Sequence, residues 1–368
     1  MKTKALVPVL ILPILTPILH SQDPIATDPV GFINLTINGT STGNGGGLSA
    51  ISIPMLPQTT YSGLIASVNG NVIEDTSSTW SETDFDGRDQ KNNPTHYIEV
   101  TNHPSDATQI GTMIQIIDSN ASAANTLTLR EDASALVGAS YVIRKFRTLG
   151  EVLGSLGTIG AAEGPTNGLT SGTDFISSDL IYKVHEDIQG DGTTNGFGWM
   201  QFYYQNASSR AGGVGWRQSG DKFTNMENVI IYPDEGLLVR RRSATNLTLT
   251  MTGSVKSNAS KRKILKGFNF VSTSYPVDVT LEKLGLENDL VSGSDFSSSD
   301  LLYTIDDTAS FRSFYYQTAG ARSGGNGWRE VGDKFNDQKD VVIPAGTALI
   351  IRSRSDQSFD WSTQLTQF

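Results

Sequence analysis

Few residues in this chain are of types and spacings that could do chemistry. Its histidines are His20, His96, His103 and His185. None stands in an HExxH zinc pattern, and there is no GxSxG nucleophile elbow. A serine triad assembled across a fold is recognised by geometry, so spacing alone does not rule on it. Paired carboxylates cleave glycosides, and Asp174, Asp179 and Asp221 recur downstream as Asp295, Asp300 and Asp333. Each sits among Ser, Gly or Lys, where an aspartate bonding its own backbone is the commoner arrangement. Asp84, Asp86 and Asp89 alternate around Gly87 like the first half of a calcium loop, but the twelfth position is Thr95 rather than an acid. Asp187 and Asp191 with Gly192 are a poorer second candidate. A solvated turn is the expectation for both, with no metal and no other cofactor.

The strongest surface candidate is Trp216-Arg217 with Trp328-Arg329. Each pair follows a Gly-Gly-x-Gly stretch, and each Trp stands 12 residues beyond the second Tyr of a Tyr-Tyr pair. An indole ending a glycine-rich turn can stack on a sugar ring or fill a protein interface, where Trp, Tyr and Arg are enriched. It can equally plug the end of its own sandwich.

These pairs lie in an internal repeat. Residues 202–223 (FYYQNASSRAGGVGWRQSGDKF) match 314–335 (FYYQTAGARSGGNGWREVGDKF) at 15 of 22 positions, with an offset of 112. Upstream, 169–182 match 290–303 at 10 of 14 positions, with an offset of 121, so the first copy carries nine extra residues before Phe202. His185 falls in that unshared segment and the second copy has no histidine, which excludes duplicated histidine catalysis.

The elements that must carry these residues read as short strands. Leu247, Leu249 and Met251 alternate with threonines at period two, as in a half-buried strand. Asn69-Gly70-Asn71 between Ile65–Val68 and Val72–Ile73 signals a hairpin. Further β-type runs are expected at 97–101, 113–117, 126–129 and 141–145. The helical hints are single turns at Thr148–Leu153, where Thr148 and Glu151 have capping-box spacing, and at Thr280–Gly285. The reading is an all-β chain of short-strand sandwich or small-barrel domains, the last two related by tandem duplication. Its expected parts are a signal peptide over 1–21, an N-terminal β domain over 22–147, and repeat copies over 148–255 and 264–368. Lys261–Lys263 with Lys266, beside Asn258 and Ser260, is expected to be a solvated linker.

Bulk properties set the compartment and exclude partners. Lys2 and Lys4 precede a charge-free run to Leu19 that is too short and proline-broken to span a bilayer, the layout of a signal peptide. No later stretch approaches the roughly 18 apolar residues of a membrane span. Net charge is −10, and loss of residues 1–21 with their two lysines leaves −12. Such acidity disfavours nucleic acid and anionic lipid. The absence of cysteine removes disulfides and thiol chemistry, so packing alone must stabilise the fold. Charged residues make up 18%, below the usual ~25%, as suits short strands with many turns.

Thr27-Asp28-Pro29-Val30-Gly31-Phe32 resembles the mature start of an uncharacterised family of secreted bacterial β-repeat proteins. The resemblance continues through Gly47-Leu48-Ser49, Asn125-Thr126-Leu127-Thr128-Leu129, Val142-Ile143-Arg144, Gly215-Trp216-Arg217 and Gly327-Trp328-Arg329. It implies export and a β-rich repeat, and brings no activity to any residue. The functional expectation is therefore an exported, non-enzymatic structural, adhesive or assembling protein. It would act at the cell surface, in the extracellular space or in the periplasm, associating with itself or with other surface proteins, and edge strands are one means. The alternative is a carbohydrate-binding protein using the Trp216 and Trp328 surfaces.

Overall fold

The computed structural model describes residues 29–41, 47–78, 80–81, 84–85, 94–119, 125–154, 168–185, 198–206, 212–306, 308–318 and 324–364. The expected signal peptide lies outside the described residues. The chain is all-β, built of open sheets packed in layers. Among the described residues no closed barrel forms, so of the two architectures read from the sequence the sandwich is the one adopted.

Both copies carry a five-stranded antiparallel sheet of one topology. In the first, the order is Gly215–Gln218, Gly198–Gln205, Leu180–His185, Gly236–Arg240, Leu48–Ser52. In the second it is Gly327–Glu330, Phe311–Gln317, Leu301–Ile305, Leu349–Ser353, Gly267–Val271. The registers coincide residue for residue: Ile51 pairs with Leu237 as Val271 pairs with Leu349. The outer layers match as well, since Val30–Ile37 pairs with Leu247–Val255, and Ser260–Ile264 pairs with Phe359–Thr363.

The expected domain boundaries are therefore corrected. Residues 30–56 belong to the first copy, whose core joins Leu35, Ile37, Ile51 and Met55 to Ile181, Phe202, Trp216, Leu237 and Leu249. The first copy is discontinuous, 30–56 with 147–255, and the second begins at Ser260 rather than at 264. Lys261 and Arg262 lie in that first strand, paired with Asp360 at 3.0 Å and Asp234 at 3.2 Å, so the segment is not a linker.

What separates the two parts of the first copy is an inserted domain. Its seven-stranded sheet runs Thr59–Leu64, Ser140–Lys145, His96–Asn102, Met113–Ser119, Thr126–Leu129, Val72–Glu74, Ser67–Asn69. It encloses a core of its own that includes Ile73, Ile98, Val100, Ile116, Leu127, Tyr141 and Ile143. The expected hairpin is present, with Asn69 opposite Val72 and Gly70 at φ 64°, the left-handed region that glycine tolerates. In the second copy only residues 272–278 stand at the same place, between Gly267–Val271 and Val279–Thr280.

The helical turns also occur. Leu149–Leu153 is helical under a complete Thr148/Glu151 capping box, and Glu282–Leu284 is a 3-10 turn. Each plugs its own core, through Leu149, Val152 and Leu153 or through Leu281, Leu284 and Leu286. Burying one such side chain stabilises by about 1.5–3 kcal/mol. Among the described residues no helix is long and apolar enough to cross a membrane.

The two copies pack on each other across a pseudo-twofold axis. Ile51 bridges to Thr347, and Val271, the equivalent of Ile51, bridges to Glu235, the equivalent of Thr347. Ser52 N–H donates to the Gly346 carbonyl at 2.8 Å, and its counterpart Ser272 donates to Asp234 at 2.9 Å. Apolar contacts exchange likewise: Val184 clusters with Phe270 and Ile350, while Ile305 clusters with Ala50 and Ala348. Such reciprocity defines an isologous interface. It joins the faces of the five-stranded sheets that point away from each core.

Candidate functional site

The Trp-Arg pairs are built from the glycine-rich turns before them. Gly212 and Gly213 have φ of 83° and 70°, and Gly324 and Gly325 have 70° and 76°, conformations that only glycine adopts without strain. These turns bring backbone carbonyls onto the arginine that follows. Arg217 Nη1 donates to the Trp216 carbonyl at 2.7 Å, and Nη2 donates to Gly213 at 3.1 Å and to Gly212. Arg329 repeats the set, donating to Trp328 at 2.9 Å, Gly324 at 2.8 Å and Gly325 at 3.1 Å. A Cβ on Gly212 would lie 2.9 Å from Arg217 Nε, so loop and guanidinium fit only without a side chain there. Each arginine is an internal clamp that holds its own loop.

The tryptophans are internal too. Trp216 and Trp328 are 1% and 2% exposed, with Tyr204 and Tyr316 rings edge-on at 5.5 and 5.7 Å. Trp216 Nε1 donates to the Gly154 carbonyl at 2.7 Å, which fixes the helical turn to the sheet. In the second copy Trp361 takes this part, donating to Leu284 at 2.8 Å. The expectation that Trp216, Arg217, Trp328 and Arg329 form a binding surface is corrected. All four face into their own domains, and neither indole offers a face to a sugar.

The repeated carboxylates hold turns. Asp174 Oδ1 accepts from the N–H groups of Ile176 and Ser177, at 3.1 and 3.0 Å, and Asp295 does the same for Ser297 and Ser298, at 3.0 and 3.1 Å. Asp221 caps Phe223 and Thr224 as Asp333 caps Phe335 and Asn336. Hydrogen bonds from these neighbours hold Asp221, Asp295 and Asp333 below the usual carboxylate range. Asp179 accepts Arg242 N–H at 2.6 Å, and Asp300 accepts Arg354 N–H at 2.6 Å. In the calcium candidate, Asp84 accepts from Ser81 N–H at 2.7 Å and Ser81 Oγ at 2.6 Å, while Asp86 and Asp89 lie outside the described residues, as do Asp187 and Asp191.

The histidines whose side chains are described, His96 and His103, do not converge on any of these groups. His96 Nδ1 lies 2.8 Å from Thr95 Oγ1, and burial, aided by repulsion from Lys145, pulls its pKa down to about 4. His103 Nδ1 accepts from Asp106 N–H at 2.9 Å, and Nε2 lies 3.0 Å from the Ala135 carbonyl. His185 ends a strand, and its side chain lies outside the described residues. Among the described residues, no three His, Asp or Glu side chains form a group that could hold a metal ion.

What is exposed and repeated is a different set of aromatics. Phe175 and Phe296 are 42% and 48% exposed, and Phe223 and Phe335 are 73% and 65% exposed. Trp199 and Phe311, also equivalent, are 52% and 54% exposed. Isolated exposed apolar residues are normal. Here, however, among the described residues six of the eight exposed aromatics fall at three positions shared by both copies. Sequence reasoning missed them although Phe175 and Phe223 stand inside the aligned repeats, because identity between copies does not separate core from surface.

The outer edges of the five-stranded sheets are closed to strand addition. Met226 N–H donates to the Trp216 carbonyl at 3.0 Å and Gln338 N–H to Trp328 at 2.9 Å, so the following loop covers each edge. No family model, curated protein or solved structure matches the chain.

Proposed function

We propose that the chain is an exported, non-enzymatic structural subunit that assembles at the cell surface or in the extracellular space. The observation that carries this reading is the set of exposed aromatics held at equivalent positions of two copies whose other repeated polar residues serve their own turns. Side chains kept in both copies without a place in either core suit contact with another macromolecule. Lys2 and Lys4 ahead of a charge-free apolar run support export, and the acidic net charge of −10 disfavours nucleic acid as the partner.

At the five-stranded sheets assembly proceeds through faces, since their edges at 215–218 and 327–330 are covered. Fractionation of the producing cell and electron microscopy of the purified mature protein test the proposal. Polymers, or a layer retained on the surface, are expected. A protein that stays monomeric at all concentrations and is confined to the cytoplasm would overturn it.

A further inference from the structure

We infer that the chain binds further copies of itself through two equivalent aromatic patches, Phe175 with Phe223 in the first copy and Phe296 with Phe335 in the second. This rests on the assembly reading and names its surface and its partner.

The patches are held rigidly in advance. The Phe175 loop is fixed by the Asp174 turn and by Arg242, which donates to the carbonyls of Ser178 at 3.2 Å and Phe175 at 3.4 Å. The Phe296 loop is fixed by Asp295 and by Arg354, donating to Ser299 at 2.7 Å and Phe296 at 3.3 Å. Phe223 and Phe335 extend from the turns capped by Asp221 and Asp333. In the first copy the two loops sit side by side. Phe175 lies against Tyr203 at 6.4 Å, Tyr203 pairs across the sheet with Arg217, and Arg217 reaches the Thr224 carbonyl at 3.5 Å. An aromatic anchor already ordered loses little entropy on binding.

Three observations select a second copy as the occupant. The patch continues an interface that the fold already makes between its copies: on strand Gly198–Gln205, Trp199 packs on Phe270 of the second copy at 4.7 Å, and Tyr203 lies on the same face beneath Phe175. Its charges are balanced although the chain is acidic, with exposed Lys222 and Lys334 beside Asp221 and Asp333, so two such patches can meet without net repulsion. The pseudo-twofold axis makes the two patches alike, so each molecule has two equal valences. Identical units with two valences form chains.

The test is analytical ultracentrifugation of the mature protein across concentration, with Phe175→Ser/Phe223→Ser, Phe296→Ser/Phe335→Ser and the quadruple variant. Exposed-site changes of this kind are expected to leave the folding midpoint nearly unchanged, and near-UV circular dichroism checks that they do. The native chain is expected to grow beyond dimers, each one-patch variant to stop at twice the monomer mass, and the quadruple variant to stay monomeric. Lys222→Glu with Lys334→Glu is expected to weaken assembly without changing the fold. A quadruple variant that assembles like the native chain overturns this inference while leaving the assembly reading intact. A native chain that never assembles overturns both. Loss of binding on a glycan array in the quadruple variant, with self-association unchanged, overturns the choice of partner.

Discussion

Gly236 and Ala348 hold the same position in the two copies and face each other, a methyl group built on Gly236 coming within 2.6 Å of the Ala348 Cβ. The close approach marks the pseudo-twofold axis, and the rest of the interface exchanges around it. One contact is symmetric in place but not in chemistry. Arg262 pairs with Asp234 on one side, while on the other their equivalents are Leu35 and Gly346, where a methyl group built on Gly346 would collide with Leu35 Cδ2.

Gly236→Ala is expected to lower stability by about 1–3 kcal/mol, because overpacking forces backbone shifts. Ala348→Gly in the same chain is expected to restore most of the loss. Urea denaturation of the two single variants and the double measures both effects. A double variant no better than Gly236→Ala would mean that the clash lies elsewhere.

Arg217→Lys is expected to cost about 2–3 kcal/mol, since an ammonium cannot span carbonyls that a guanidinium fork reaches together. Arg329→Lys is expected to cost a similar amount. Guanidinium titration gives the loss, and faster amide exchange over residues 212–218 locates it. Unchanged exchange there would dismiss the clamp.

Glu99 links the inserted domain to the junction between the copies. It is fully buried, pairs with Arg144 at 3.3 Å and with Lys256, and accepts from Asn258 Nδ2 at 3.0 Å. Glu99→Gln leaves the buried Arg144 guanidinium without its anion and Lys256, whose pKa burial already pulls down to about 7, without its partner, an expected cost of about 3–5 kcal/mol. Scanning calorimetry reads this as a lower Tm, and a shift of under one degree would refute it.

His96 sets a pH dependence. Its folded pKa of about 4 lies below the ordinary 6.5, first through burial and then through Lys145. Between those values the unfolded chain takes up a proton that the folded chain does not. The stability linked to His96 is therefore complete above pH 6.5 and is lost as pH falls towards 4. His96→Gln is expected to flatten the denaturation midpoint over that range. An equal slope in both proteins would assign the effect to another group.

Much of the local structure was legible in the sequence. Period-two alternation marked Leu247–Val255, Asn69-Gly70-Asn71 marked the hairpin, and Thr148 with Glu151 marked a capped helical turn, because each depends on contacts within a few residues. The repeat was legible over 169–182 and 202–223 for the same reason, as loop-forming motifs keep their own residue types. Only the tertiary structure placed Val30–Ile37 and Leu48–Ser52 in the first copy, since their partners stand about 200 residues away and share no motif with Ser260–Ile264 or Gly267–Val271 beyond apolar alternation. It also decided which aromatics face water. Trp216 and Phe223 lie seven residues apart in one repeated motif, yet the indole fills the sandwich and the phenyl ring leaves it. That difference depends on where the loop after Arg217 folds, which residue type alone does not specify.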